Sequence, residues 1–271
     1  NGGSIEGKKI TLLYHNSAYG KEPIRTLEEL SKKHGYELSL IPVDHPGQEQ
    51  KSQWLQISRE RPDYVIMWGF GVMHQVAIQE AANIRFPMEN FIGNWWAGAE
   101  HDVTPAGDVA NGYKSLVMND TGDAFPIYAD IKKYVVDAGK AAGAGDNLGT
   151  VMYNRSLYMA FLTHMAIEKA QELSGNADIT QAEMVAGMEA LSITDALMEE
   201  HGIPDIGPEF SVSCENHGGP GLGAVAQWDA SAGKWNLVSD YLEADMAVIN
   251  PLIDADSKAY AAENNIAQRC G

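Results

Sequence analysis

The sequence contains no apolar run of about 18 residues, so it predicts no membrane-spanning helix. It also lacks a cluster of positive charge, because 19 lysines and arginines stand against 37 acidic residues and the formal net charge is −18. Binding to nucleic-acid phosphates or to anionic lipid requires clustered basic side chains. The composition therefore argues against a nucleic-acid partner and against adsorption to an anionic membrane. The acidity itself is explained by solubility.

Motifs for metals, nucleotides and catalysis are also missing. The eight histidines form no HExxH pattern, and no Cys-x2-Cys occurs. The segment WGFGVMH (68–74) has two glycines of a dinucleotide fingerprint, but His74 occupies the third glycine position. The glycine-rich run GGPGLG (218–223) precedes a predicted strand, which favours a loop over a phosphate cradle. We therefore predict no cofactor and, in the absence of an acid–base pair, no enzyme.

Only two cysteines are present, Cys214 and Cys270. In an oxidising compartment they could form one disulfide that fixes the tail. The alternatives are two inert thiols or, because His217 follows Cys214 closely, a reactive thiol. We favour the disulfide, since a histidine that is near in sequence is poor evidence for a catalytic pair.

The 271 residues suffice for one large domain or two small ones. The chain begins Asn1-Gly2-Gly3, without a methionine and without a signal peptide. We expect that a leader was removed or that the chain is a piece of a longer protein.

Apolar runs and amphipathic segments alternate over the first 118 residues. The runs predict strands at 8–15, 36–43, 63–69, 90–95 and 112–118, and helical spacing predicts helices at 21–35, 48–62 and 71–84. Gly35 suits the end of the first helix. The alternation predicts an α/β fold with a Rossmann-like, doubly wound parallel sheet.

Beyond residue 118 the pattern becomes helical. Helices are predicted at 124–139, 153–175 and 180–192, and the second is apolar on most sides, so we expect it to be largely buried. Alternating apolar positions predict a hairpin over 224–239 after a loop at 210–223, and the segment 252–268 reads as a polar helix. The middle helices have almost no strand of their own, so we expect that something they pack on is absent.

Aromatic side chains stand beside small or amide residues after three predicted strands. These residues are His15, Asn16, Ser17 and Tyr19, then Trp68, Gly69, Phe70 and Gly71, then Asn94, Trp95 and Trp96. Doubly wound sheets bind ligands at the carboxyl ends of strands, and small-molecule sites are rich in aromatic residues. We predict that these residues line a crevice. Adjacent residues of an extended chain point opposite ways, so we expect one tryptophan to face the crevice and one to pack, although both could simply pack.

Three histidines are weighed individually. His15 follows the first strand and His217 lies in the glycine-rich loop, which makes both of them site candidates. His164 lies on the helix that we expect to be buried, where a core histidine with satisfied hydrogen bonds is the favoured interpretation.

Five segments together resemble type I periplasmic binding proteins, the solute receptors of ABC importers of the branched-chain amino-acid class. They are KKITLLYHNSAYGKE, PDYVIMWGFGVMHQVAIQEAANI, NFIGNWW, GDVANGYKSLV and SCENHGGPGLGAVAQWDASAGKWNLVSDYL. The resemblance implies two Rossmann-like lobes that close on a solute, a permease partner and a periplasmic or other extracytoplasmic location. It assigns 1–118 and 211–271 to the second lobe and 119–210 to the first lobe, whose initial sheet would precede Asn1. Helix faces left exposed by that absence predict self-association.

The resemblance also assigns site residues. Tyr19 matches the family's tyrosine after the first strand of this lobe, and Phe70 falls where a family tyrosine contacts the ligand. Trp95 or Trp96 falls where amino-acid receptors place a glutamate that pairs with the ligand ammonium. The departure favours a solute without an ammonium group and with an aromatic or bulky apolar body, such as an aromatic carboxylate or an amide. Arg155 and the N–H groups near Gly71 are secondary contact candidates.

Two other function classes remain open from the sequence. A ligand-sensing domain of a receptor or regulator would have the same fold, and an α/β enzyme would use His15 or Cys214. Fold alone does not separate these alternatives from a transport receptor.

Overall fold

The structure is a computed structural model that describes residues 3–143, 145–267 and 269–270. The chain divides into two compact units, Asn1–Val117 with Gly223–Asp254 and Met118–Leu222 with Ala255–Gly271. The lobe boundaries expected from the sequence assign the segment 211–222 and the tail from residue 255 to the same lobe as residues 1–118. In the structure both belong to the second unit.

A mainly parallel sheet forms the core of the first unit, as the strand–helix alternation predicts. Its strands are β1 (Lys9–His15), β2 (Glu37–Val43), β3 (Tyr64–Trp68), β4 (Phe91–Gly93), β5 (Lys114–Val117), β8 (Leu222–Asp229), β9 (Lys234–Leu237) and β10 (Leu242–Glu243). The order is β10-β8-β5-β4-β3-β1-β2, with β9 paired to β8. Strands β1 to β5 pair in parallel, whereas β8 runs antiparallel to β5 and β9. The predicted α/β sheet and the terminal hairpin are both confirmed.

The strand order reverses beside β1, which lies between β2 and β3. His15 is in register with Val43 of β2, and Tyr14 with Trp68 of β3. Doubly wound sheets of this order bind ligands where neighbouring loops separate at such a reversal. The loops after β1 and β3 therefore occupy the position at which this topology opens a crevice.

The helices of the first unit follow the predicted periodicity. They are α1 (Ala18–Lys21), α2 (Ile24–His34), α3 (Lys51–Glu60), α4 (Met73–Asn83) and α5 (Glu100–Val103). Gly35 ends α2 in the left-handed conformation, with φ of 70°, as a glycine stop does. The face of α3 that carries Trp54 and Ile57 is buried, in agreement with their helical spacing.

The predicted strand at 90–95 is wrong at its end. Strand β4 ends at Gly93, and a 3₁₀ turn over Trp95–Ala97 follows. The carbonyl of Asn94 accepts the N–H of Ala97, which bends the chain where an extended run was expected. An apolar sequence does not reveal such a turn, because tryptophan favours strands in isolation.

The second unit is mainly helical. It contains α6 (Ile127–Ile131), a π-helical turn (Lys132–Val136), α7 (Val151–Ser174), α8 (Gln181–Glu189) and α9 (Asp195–Glu200), with the short antiparallel pair β6 (Ser192–Ile193) and β7 (Phe210–Ser211). Its buried apolar cluster consists of Tyr158, Phe161, Met165, Ile193, Met198, Ile203 and Ile206.

The last helix, α10 (Met246–Asn264), begins before the predicted 252 and ends before Gln268, which lies outside the described residues.

Helix α7 is buried on one face only, so the expectation of a largely buried helix is wrong. Phe161 and Met165 belong to the core cluster, whereas Met152 and Met159 are exposed. Packing within this unit covers only part of a helix that is apolar on most sides. The exposed fraction of Met159 is 61%, far above that of a core methionine.

Cys214 and Cys270 form a disulfide with their Cα atoms 5.6 Å apart. The same tail carries Arg269, which pairs with Glu189 of α8. These two links hold the end of the chain in the second unit. Among the helices of the described residues, none is long and apolar enough to cross a membrane.

The tight packing of the loop after β1 can be tested by substituting Gly20. A Cβ atom on Gly20 would lie 1.8 Å from the carbonyl oxygen of His15, which is backbone and cannot rotate away. We expect Gly20→Ala to lower the free energy of unfolding in urea by about 1–3 kcal/mol. The control is Gly223→Ala, whose added Cβ meets only the carbonyl of Val117 at 3.6 Å. Equal stability of the two variants would contradict this packing.

Candidate functional site

The segment after β1 begins with a histidine–serine contact. His15 is the last residue of the strand, and its Nδ1 lies 2.9 Å from the hydroxyl of Ser17. Ser17 caps α1, because its side chain accepts the backbone N–H of Gly20. The cap fixes Tyr19 at the second position of the short helix, so the strand end and the helix start present their side chains together.

His15 is 8% exposed, and no hydrogen-bond partner of its Nε2 exists among the described residues. Burial lowers the pKa of His15, the neighbouring His45 lowers it further, and Asp44 opposes both effects. The ring therefore favours its neutral form, which leaves Nε2 as either a donor or an acceptor according to the tautomer.

Tyr19 joins three strand ends through its hydroxyl. It donates to the carbonyl oxygen of Gly69 after β3, at 3.3 Å, and accepts the amide N–H of Asn94 after β4, at 2.5 Å. Burial raises the pKa of Tyr19, and the hydrogen bond from Asn94 opposes part of that rise. The phenol therefore keeps its proton and remains a donor at neutral pH.

Aromatic rings converge at this edge of the sheet. The ring of Phe70 lies 6.3 Å from that of Tyr19 and 6.5 Å from those of His15 and Trp96, each time edge to face, and Tyr19 lies 6.2 Å from Trp68. We call Tyr19, Trp68, Phe70 and Trp96 the aromatic cluster. Phe70 is 54% exposed and Trp96 38% exposed, so the cluster presents apolar ring surface to solvent. Exposed aromatic surface beside buried polar atoms is typical of a ligand site.

The tryptophan pair does not adopt the predicted opposed arrangement. The rings of Trp95 and Trp96 lie 4.3 Å apart and tilt by 32°, so they rest against each other instead of pointing to opposite faces. The reason is the 3₁₀ turn, in which successive side chains do not alternate. Trp95 is half-buried, and Trp96 reaches the cluster through Phe70.

Two glycines let neighbouring side chains approach the 3₁₀ turn of Trp95–Ala97, which we call the tryptophan turn. A Cβ on Gly93 would lie 2.0 Å from the hydroxyl of Tyr113, and one on Gly98 would lie 2.1 Å from that of Ser115. Tyr113 donates to the carbonyl of Ala97 at 3.0 Å, and Ser115 donates to that of Asn94 at 2.9 Å. Side chains of β5 and its preceding residue therefore anchor the turn through its backbone.

The loop that carries Phe70 depends on its flanking glycines. A Cβ on Gly69 would lie 2.7 Å from the ring of His74, and Gly71 has φ of 59° in the left-handed region. The small residues noted in the sequence thus let the chain turn sharply between β3 and α4.

Other predicted contact residues lie outside this cluster. Asn16 is exposed, and its amide donates to Asp44 at 2.7 Å. In the second unit, Arg155 lies on α7 and contacts the sulfur of Met152. His217 is exposed and its Nε2 lies 2.9 Å from Glu189.

The expectation for His164 is wrong. Its side chain is 56% exposed and lies 3.3 Å from Glu168 on the surface of α7. Sequence reasoning placed it in the core because the helix is apolar on most sides.

The sequence places Asn94 after the fourth strand beside the tryptophans, but its role as a hydrogen-bonding hub of the site was not predicted. Asn94 is 1% exposed, and its Oδ1 has no hydrogen-bond partner among the described residues, as is also the case for Trp68 Nε1. Buried polar atoms of this kind are normally satisfied by water or a ligand. Its place directly before the tryptophan pair was the available signal. Nowhere in the described ranges do three or more metal-binding side chains come together.

The charges around His15 make a testable prediction. We expect NMR titration to give His15 a pKa below the ordinary histidine value of about 6.5. Removing the opposing carboxylate with Asp44→Asn should lower this pKa further, whereas His45→Gln should raise it. Shifts of both variants in the same direction would contradict the geometry.

Because the unfolded state then binds more protons than the folded state, the contribution of His15 to stability falls as the pH drops through 6.5 towards the folded-state pKa.

Comparison with known proteins agrees with this fold. The family model of the periplasmic binding proteins matches residues 3–234. A solved structure described as an ABC transporter permease from the Pseudomonas fluorescens group is 38% identical, with a TM-score of 0.91, over 98% of this chain and 64% of that one. The chain thus spans less than two thirds of the length of this relative. None of the curated protein sequences matches the chain.

More distant structures share the fold. A branched-chain amino-acid ABC transporter protein from Thermus thermophilus with bound valine is 16% identical, with a TM-score of 0.70 over 89% of this chain and 62% of that one. A solute-binding protein of an ABC transporter from R. palustris in complex with benzoate is 17% identical, with a TM-score of 0.62 over 88% and 60%. The matched family is that of the periplasmic binding proteins, which the sequence resemblance predicts. Because the family model matches most of this chain, the chain belongs to the type I periplasmic binding protein family.

Proposed function

We propose that this protein is the extracytoplasmic solute receptor of an ABC importer and that the aromatic cluster contacts its solute. The observation that carries the proposal is the meeting of four aromatic side chains from three strand ends beside His15 and Asn94. Half-exposed rings offer apolar contact, while the buried polar atoms offer orientation. The partner implied by the family is an ABC permease, which would receive the solute from the receptor.

We infer that the solute has an aromatic or bulky apolar body and no ammonium group. Phe70 and Trp96 offer ring edges and faces at the distances at which aromatic rings attract one another. The carboxylate of Asp44 is already bonded to Asn16. By the family resemblance, Trp95 or Trp96 falls where amino-acid receptors place a glutamate that pairs with the ligand ammonium. A related solute-binding protein from R. palustris holds benzoate. An aromatic carboxylate or amide fits these observations best.

The disulfide supports the location. Disulfides persist in oxidising compartments such as the bacterial periplasm and are rare in the cytosol. Cys214 and Cys270 close a loop of 56 residues, so the bond links distant parts of the second unit. We propose that the first unit corresponds to the second lobe of a receptor and the second unit to part of the first lobe. Self-association through α7, where Met152 and Met159 are exposed, stays a prediction.

Fluorescence titration tests the solute class. Sodium benzoate should quench the tryptophan emission of the protein in a saturable way, and valine at the same concentrations should not. Phe70→Ala and Trp96→Ala should each weaken benzoate binding by about tenfold, because each removes one ring that would contact the solute.

Leu55→Ala is the matched control, since Leu55 on α3 is 52% exposed and Phe70 is 54% exposed. This control should bind benzoate like the unchanged protein. Saturable binding of valine in preference to benzoate would overturn the proposed solute class. Benzoate binding that survives both cluster substitutions would remove the cluster from the site.

A further inference from the structure

A buried histidine–aspartate pair lies next to the aromatic cluster without belonging to it. His74 on α4 is 3% exposed and Asp102 on α5 is 1% exposed. The Nδ1 of His74 lies 2.9 Å from Oδ1 of Asp102. A carboxylate accepts hydrogen bonds, so Nδ1 carries the proton in this contact. In the sequence His74 stood out only because it interrupts a nucleotide-binding pattern.

Asp102 reaches the segment that carries the tryptophans. Its second oxygen, Oδ2, accepts the backbone N–H of Ala99 at 3.0 Å. Ala99 follows the 3₁₀ turn of Trp95–Ala97 after a single residue, Gly98. One carboxylate therefore holds the end of the tryptophan turn with one oxygen and His74 with the other. His101 contributes a further contact, with its Nε2 3.5 Å from Oδ1.

His74 in turn supports the segment that carries Phe70. Its ring lies so close to Gly69 that a Cβ there would be 2.7 Å from Cδ2 and 3.1 Å from Nε2. The carbonyl of Gly69 accepts a hydrogen bond from the Tyr19 hydroxyl, and this hydroxyl accepts one from the side-chain amide of Asn94. The contacts thus form a closed circuit from Asp102 through His74, Gly69 and Tyr19 to Asn94 and back along the tryptophan turn.

We propose that His74 and Asp102 are positioning residues that set the distance between Phe70 and the tryptophan turn, and thereby the affinity for an aromatic solute. The inference rests on the proposed function for its solute, but the geometry that it concerns exists without one. Neither side chain contacts the solute in this proposal. Each acts through the backbone of the segment that presents a ring, Gly69 for Phe70 and Ala99 for Trp96.

Stability alone is a weak explanation for the pair. Replacing both partners of a buried hydrogen bond by apolar side chains of the same shape can be nearly neutral or stabilising, because no polar group is then left without a partner. A pair that joins two loops through specific atoms fixes a geometry, which apolar packing does less sharply. Sites need their supporting side chains locked in this way to hold ring contacts in place.

Two substitutions of similar size separate the hydrogen bond from packing. His74→Leu removes the donor to Asp102, whereas the amide N–H of His74→Asn occupies nearly the place of Nδ1. We expect His74→Leu to weaken benzoate binding about tenfold and His74→Asn to bind with nearly the affinity of the unchanged protein. Binding is followed by calorimetry under conditions where urea titration shows each variant to be folded.

A readout without ligand follows the tryptophan turn itself. Rings as close as those of Trp95 and Trp96 couple in the far-ultraviolet circular dichroism spectrum. Trp228 and Trp235 also lie only 5.4 Å apart, so the signal of the first pair is isolated by subtracting the spectrum of the same protein carrying Trp96→Phe. This difference signal should shrink in His74→Leu and persist in His74→Asn.

Tyr36→Phe is the control for an ordinary loss of stability. It removes a hydrogen bond of 2.7 Å from a buried tyrosine to the carbonyl of Leu27, outside the loops that carry the cluster. It should change neither the difference signal nor the benzoate affinity. Equal effects of His74→Leu, His74→Asn and Tyr36→Phe would overturn the proposal, and so would an unchanged difference signal in His74→Leu. If the unchanged protein fails to bind benzoate, the proposed solute class fails, and the difference signal still decides the role of the pair.

Discussion

The parallel pairing of β1 with β2 on one side and β3 on the other is the constraint on which the candidate site depends. Parallel strands end at the same edge of a sheet, so residues about fifty positions apart in the chain arrive together after His15 and Trp68. The reversal of strand order beside β1 leaves room there for side chains. Tyr19 fills that space, and its single hydroxyl links the ends of β1, β3 and β4.

Glycines make this convergence possible by letting polar side chains approach the backbone. Gly93 and Gly98 admit the hydroxyls of Tyr113 and Ser115, and Gly69 admits the ring of His74. Each approach ends in a hydrogen bond or a close packing contact with a loop that bears an aromatic ring. Contacts of this kind pre-organise the loops, which in the proposed receptor would reduce the ordering that solute binding requires.

The site places exposed aromatic ring surface beside buried polar atoms. Burial disfavours the charged form of His15, and Asp44 is bonded to Asn16. The disulfide and the family membership support the proposed extracytoplasmic receptor.

The α/β class, the parallel sheet and the terminal hairpin could all be predicted from the amino-acid sequence. Apolar periodicity indicates which faces of an element are buried, and the short apolar runs at 9–15 and 64–68 indicate buried strands. It also pointed to the strand ends after His15, Trp68 and Gly93, because topology places those ends at one edge.

The arrangement of the side chains at that edge could not be predicted, because it depends on contacts between distant parts of the chain. The turn at Trp95–Ala97 depends on Tyr113 and Ser115, which lie on a different strand or just before it, and no local propensity encodes such partners. His164 is exposed because packing covers only one face of α7, a property of neighbours and not of the helix itself. The His74–Asp102 contact likewise joins residues 28 positions apart, and burial, which gives such a pair its significance, exists only once the chain has folded.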